Sequence, residues 1–295
     1  MERKNKMANQ IEKFKMYVKL LDEVYKQASC TAILDGAPEL ATQGANADEL
    51  IIPKIDMDGL ADYDRANGYL AGAVKFTNET VKCNFDRGRK FTVDAVDDID
   101  TAGLAFGRLA SEFIRTKVVP ELDAFRIASY CKDVAATVTT GAIADGAAAI
   151  KAIAAKYDAM TDSEVPEENR VLFVSPTVYG LIRDLDTTKS KEVMDQFAAI
   201  KKVPASRFYT AIEQLDGKTS GQEAGGFKQA TAGKALDFLI VEKSAVIQFQ
   251  KRNVNKAFSP DQNQDADGWQ FNFREVGIAD TYENKLVGIA GQFHE

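Results

Sequence analysis

The chain has 295 residues, of which 45% are hydrophobic and 27% charged, and its formal net charge is −7. A chain of this length buries roughly three quarters of its unfolded surface, and no apolar run approaches the roughly 20 residues that a membrane-crossing helix needs. The acidic balance, with no long basic stripe, argues against a protein that grips nucleic acid by its phosphates, and the charged start MERKNKMANQ lacks the apolar core of a secretion signal.

Residues 9–29 predict an amphipathic helix. Phe14, Val18, Leu21 and Tyr25 follow Ile11 at spacings of three and four, with Glu12, Lys13, Lys15, Lys19, Asp22 and Lys26 on the other faces. A narrow apolar seam of this kind packs on its own domain or docks on a neighbour. Residues 37–50 are small and polar and read as a linker. Leu50–Ile55 reads as a strand, with Pro53 placing it at an edge. Asp56–Ala73 carries Gly and Asn breakers and carboxylates around Tyr63 and Tyr69, and reads as an exposed loop.

Val81, Cys83 and Phe85 alternate with polar residues, Arg87-Gly88-Arg89 intervenes, and Phe91 and Val93 alternate again. A period of two marks a half-buried strand. Together with the run at 50–55 this predicts a long two-stranded excursion. Two strands alone are marginally stable in water, so such an arm needs a surface to lie on. Its basic residues Lys82, Arg87, Arg89 and Lys90 either guard a solvated edge or supply ion pairs to another copy.

Asp94, Asp97, Asp98 and Asp100, with Thr101 behind them, suit the start of a helix, where carboxylates meet free N–H groups and the positive dipole end. Phe106, Leu109, Phe113 and Ile114 then recur three and four apart. Pro120 ends or kinks that helix, and Glu121-Leu122-Asp123 starts another turn.

Beyond Tyr130 the composition lightens, and Ala144–Ala159 predicts a helix that Pro166 closes. Val171–Val174 reads as a buried strand, followed by a helix from Ser175-Pro176 through Leu185 and another over Glu192–Lys202. Helix, buried strand, helix is an α/β layer with its own core. Gln214–Ala235 is loop-like and rich in Gly. Its Gly217-Lys218-Thr219 is not a phosphate loop, because Ile212 stands where that motif needs its first Gly. Strands are predicted at 236–241 and 245–250, then a basic patch over Lys251–Lys256, a strand carrying Trp269, Phe271, Phe273 and Val276, and a last strand over Leu286–Phe293.

No catalytic set is visible. The one histidine is His294, beside the C-terminus, and no HExxH motif, nucleophile elbow or paired acid on one face is present. Cys30, Cys83 and Cys131 are widely spaced without a CxxC, which argues against a disulfide framework or a zinc site. No cofactor and no metal are expected.

The basic strand running into RGRKFTVDAVDDID, then an amphipathic helix, then VVPELDAFR, resembles the major capsid proteins of tailed bacteriophages with the HK97 fold. The order of the remaining segments fits across nearly the whole chain. The resemblance implies an α+β fold with an N-terminal arm over 1–49, an extended β-hairpin (the E-loop) over 50–96, and a peripheral domain with a long spine helix over 97–134. It implies an α/β axial domain over 135–250, then peripheral strands and the C-terminal strand over 251–295. On this reading Phe14, Val18, Leu21 and Tyr25 contact an adjacent subunit through the arm. Lys82, Arg87, Arg89, Lys90, Asp97, Asp98, Asp100 and Glu112 form contacts between copies at the E-loop and spine. The implied function is a structural one, not an enzyme's: hexamers and pentamers of an icosahedral head, assembled in the host bacterial cytoplasm, that encloses double-stranded DNA without specific recognition. The implied partners are the chain itself, a portal, and a separate scaffolding protein unless this is a processed form; no membrane is involved. The alternatives are an encapsulin-type nanocompartment shell, which shares the fold, and a soluble α/β enzyme or binding protein that uses residues 135–250.

Overall fold

Two sheets of different character divide the described residues. A computed structural model of the chain describes residues 29–36, 49–63, 65, 68–94, 111–185 and 187–294. The seam of Phe14, Val18, Leu21 and Tyr25, the linker at 37–48, Asp97, Asp98 and Asp100, and the start of the helix near Leu104 lie outside the described residues.

The first sheet has five strands in the order β4-β12-β9-β5-β6, with β4 at Val138–Thr140, β5 at Arg170–Val174, β6 at Ala199–Lys202, β9 at Ala235–Glu242 and β12 at Ile289–His294. It is mixed: β12 runs parallel to β4 and antiparallel to β9, and β5 runs antiparallel to β9 and parallel to β6. Both faces are covered. Leu172, Val174, Phe238, Ile240 and Ala290 pack under the helices α2 (Gly146–Asp162), α3 (Pro176–Leu185) and α4 (Thr188–Asp195). Val171, Phe173, Leu239, Val241 and Ile289 pack on the other side with Ile127 and Tyr130 of α1 (Val119–Cys131). Burial on two faces explains why these strands are near-continuous apolar runs and not alternating ones.

The second sheet has three antiparallel strands, β10 (Val246–Phe258), β11 (Gly268–Thr281) and β3 (Phe85–Asp94). It is covered on one face. Phe85, Val93, Phe271 and Phe273 pack against Ile114, Val119 and Leu122, while Arg274 opposite Gly88 faces outward and pairs with Asp86. One buried face gives the clean alternation read in the sequence. Helix α1 contributes to both cores, so it joins the two sheets.

A separate two-stranded ladder is formed by β1 (Glu49–Met57) and β2 (Val74–Lys82). The partner of the 50–55 run is therefore Val74–Lys82, and β3 belongs to the second sheet. The strand break falls at Cys83-Asn84, and Arg87-Gly88-Arg89 lies inside β3. The excursion of 50–96 accordingly ends at Lys82. Two further expectations differ. The second half of the helix predicted over Glu192–Lys202 is strand β6: Ala198 donates to the Arg170 carbonyl at 3.0 Å and steers the chain into the open slot beside β5. The last strand, which the resemblance set with the peripheral strands over 251–295, sits between β4 and β9 in the first sheet.

Pro120 neither ends the helix nor breaks it. Residues Ile114–Val118 form a π-turn whose wider pitch ends in a bond from the Val119 N–H to the Ile114 carbonyl, five residues back. The proline then stands in the first turn of α1, where its missing donor costs little. The other helices are closed locally. Asp145 accepts from the Ala148 N–H at 2.7 Å, and Thr187 and Ser190 form a reciprocal cap on α4. The three cysteines form no disulfide.

Candidate functional site

The β1–β2 hairpin is the unusual element. Directly paired residues of an antiparallel ladder point to the same side. Ile55 opposite Phe76 and Met57 opposite Val74 therefore form one apolar block. These four side chains are exposed to 52%, 72%, 60% and 58%. The tip continues the pattern: Leu60, Tyr63, Tyr69 and Leu70 are all exposed. Tyr63 and Tyr69 stack edge-on with ring centroids 4.9 Å apart. Asp58 closes the tip by accepting from the Ala73 N–H at 2.7 Å. A contiguous apolar patch of this kind marks an interaction surface.

The root of the hairpin is fixed. Val81 is buried against Ile247 and Ile278. Lys54 reaches Glu283 at 2.5 Å. At the break between β2 and β3, the Asn84 side chain donates to the Ala279 carbonyl at 2.7 Å and accepts from the Ala279 N–H at 3.1 Å, copying a strand pair. The projecting half is thus held in direction by a buried base while its own face stays uncovered.

The charged residues singled out in the sequence are distributed as follows. Lys82 ends β2 opposite Glu49 and is exposed. Arg87 stays within the chain: it donates to Glu121 at 2.8 Å and to the carbonyls of Leu215 and Gly226 at 2.7 and 3.2 Å. Arg89 donates to the Glu223 carbonyl at 3.0 Å, and a Cβ on Gly217 or Gly225 would stand 3.0 or 3.2 Å from its guanidinium. Both glycines have positive φ, so the Gly-rich loop at 215–226 closes around the two arginines in a shape that only glycine takes easily. A cleft of about 430 Å³ lies between this loop, β3 and residues 113–121. Lys90 pairs with Asp265 at 2.7 Å, and Glu112 pairs with Arg115 one turn on, both in the open. Arg87 and Arg89 therefore fasten a loop to the second sheet, a role the sequence reading did not assign.

A second anchor was also missed. Asp123 is fully buried and accepts from the Ser29 and Thr31 hydroxyls, both at 2.7 Å, the Cys30 and Thr31 N–H groups at 3.0 and 3.2 Å, and Arg207 at 2.9 Å. Gln248 adds a bond to the Thr31 carbonyl at 2.9 Å. The chain leaving residues 1–28 is thereby clamped to α1. An acid four residues before Ile127, on the buried side of a helix, was the available signal.

The residues weighed for chemistry in the sequence are placed as follows. His294 closes β12 and bonds Asp237 at 2.8 Å, so the C-terminal histidine is tied to β9, the neighbouring strand of the first sheet. Burial raises the Asp237 carboxyl above its ordinary pKa, while the His294 ring pulls it back. Among the described residues, no three metal-binding side chains converge. Asp216 fills the Gly217-Lys218-Thr219 turn itself, accepting from the N–H groups of Lys218 and Thr219, both at 2.8 Å, which leaves no phosphate cradle.

No protein-family model matches the chain, and no curated protein does. Solved structures do. The chain is similar to one from Mycobacterium phage Che8 with a TM-score of 0.57 and 15% identity, covering 100% of this chain and 96% of that one. The mature capsid of bacteriophage PhiM1 gives 0.59 and 11%, with 100% and 90% covered. The virus-like particle from Pyrococcus furiosus gives 0.54 and 10%, with 97% and 100% covered. Sheet order, projecting hairpin and joining helix, together with these superpositions over the full length, show that the chain has the HK97-type capsid fold.

Proposed function

We propose that this chain is the major shell protein of a tailed-phage head, assembling into hexamers and pentamers of an icosahedral capsid around double-stranded DNA, and so resident in the virion. The observation that carries this reading is the apolar block of Ile55, Met57, Val74 and Phe76 on a hairpin whose root is buried and whose face is bare. Fully burying each such side chain is worth roughly 1.5–3 kcal/mol. In a shell every copy supplies that burial to its neighbour. The arm carrying Phe14, Val18, Leu21 and Tyr25 docks on an adjacent subunit, and Lys82 and Glu112, both exposed, lie in the rim of the contacts. A scaffolding protein and a portal are the partners this reading requires; the DNA is held without specific contacts.

The test is negative-stain microscopy of the purified protein at high concentration, alone and with the products of neighbouring genes. Closed shells of uniform diameter are expected. A species that stays a 32.3 kDa monomer under every condition overturns the proposal. The likeness to the Pyrococcus furiosus particle favours a second reading, an encapsulin-type compartment. Purified native particles decide: packaged double-stranded DNA supports the phage head, and an enclosed enzyme supports the compartment.

A further inference from the structure

A cleft of about 630 Å³ opens between α1 and the edge of the first sheet, where β4 and β12 meet the short hairpin of β7 (Ile212–Gln214) and β8 (Phe227–Gln229). That volume is in the range of cavities that take a ligand or several side chains. Its lining is mostly apolar, with Phe125, Ala128, Val138, Ile212, Ala232 and Phe293 beside Ser129, Thr210 and Gln214. The charged residues among those lining it are Lys132 and Lys234, both exposed and both positive. A mostly apolar lining with a cationic rim suits an occupant that is apolar or aromatic and carries negative charge.

Two parts of the chain are candidates. Residues 1–28 hold seven basic and four acidic residues, a net of +3, so two rim lysines repel them. The hairpin tip, residues 58–73, holds three acids and one arginine, a net of −2, interleaved with exposed Leu60, Tyr63, Tyr69 and Leu70. Of these two, the tip is the one that matches the cleft in both polarity and charge. We infer that the cleft is the receptor for the hairpin tip of a second copy of this chain: Tyr69 and Leu70 meet the apolar lining while Asp62 meets the lysine rim. This inference rests on the shell reading and adds the place where one copy grips the next.

The test pairs Leu70→Cys with Ala232→Cys in the full chain, assembles shells under oxidising conditions, and runs them on a non-reducing denaturing gel. Multiples of the 32.3 kDa chain that vanish on reduction, and that neither single variant forms, are expected. Normal shells without such multiples overturn the inference and leave the shell reading standing, whereas failure of the parent chain to form any shell is failure of that reading itself. Multiples from Phe14→Cys paired with Ala232→Cys also overturn it, in favour of the N-terminal segment. As an independent arm, Lys132→Glu with Lys234→Glu is expected to raise the concentration needed for assembly about tenfold, and adding Asp62→Lys to lower it again. Assembly unaffected by the rim reversal overturns the inference as well.

Discussion

Arg170 shows what single residues contribute inside the first core. It is fully buried, and its guanidinium is met by oxygen dipoles: the carbonyls of Pro166, Tyr157 and Val165 at 3.0, 3.1 and 2.6 Å and the Thr161 hydroxyl at 2.9 Å. The Tyr157 ring lies 4.2 Å away. It thus satisfies the Val165 and Pro166 carbonyls of the loop that follows α2 and ties that loop to the Tyr157 carbonyl in the helix's last turns. Arg170→Met keeps the stem and strands those carbonyls, at an expected cost of about 3 kcal/mol, read as a lower urea midpoint. Asp237 makes a pH-dependent contribution. Its raised pKa means the fold prefers the neutral acid, whereas the unfolded chain ionises at the ordinary value. The contribution is full below the ordinary carboxylate pKa and is lost as pH rises through the raised one. The stability difference between Asp237→Asn and the parent is therefore expected to move in the variant's favour as pH climbs from 3 to 6; urea midpoints that stay parallel refute this. Neither residue was legible in the sequence: an arginine opening a strand and an aspartate inside one look like edge residues until the elements that bury them are in place.

At the scale of elements, legibility followed the number of buried faces. The alternation in β3 and β11 reported one covered face, and the apolar runs of β5 and β9 reported two, so their existence and type were readable. Their partners were not. β12 lies beside β4 across some 150 residues of chain, and nothing local in either records that pairing. Gly88 shows the same limit. Read as an interruption between two arginines, it is a position of close approach: a Cβ there would stand 2.7 Å from the Phe273 carbonyl of β11. Gly88→Val is expected to push β3 off β11, release Arg87 and Arg89 from the 215–226 loop, and destabilise the chain by about 3 kcal/mol. Protease sensitivity gained in that loop, together with a lower midpoint, would show both effects. Pro120 misled in the opposite direction, because a widened turn ahead of a proline is a tertiary accommodation that sequence rules for helix ends do not contain.

At the scale of the whole molecule, not every surface is complete in a single copy. The two sheets and their helices bury their apolar faces within the chain, but the outer half of the hairpin does not. Ile55→Asp with Phe76→Asp changes two side chains that are already in water in the isolated chain. Its unfolding free energy is expected to fall by no more than about 1 kcal/mol, the loss of one cross-strand pair. In a shell the same two carboxylates have to enter an apolar contact, so assembly followed by sedimentation is expected to fail at every protein concentration that suffices for the parent. Salt separates this account from one based on rim charges. Ion pairs between copies at an exposed rim weaken as the Debye length shrinks to about 3 Å at 1 M, whereas apolar burial does not weaken. Parent shells are therefore expected to survive 1 M sodium chloride. Shells that fall apart there, with the double variant still assembling at low salt, would mean that charge and not the apolar hairpin face holds the copies together.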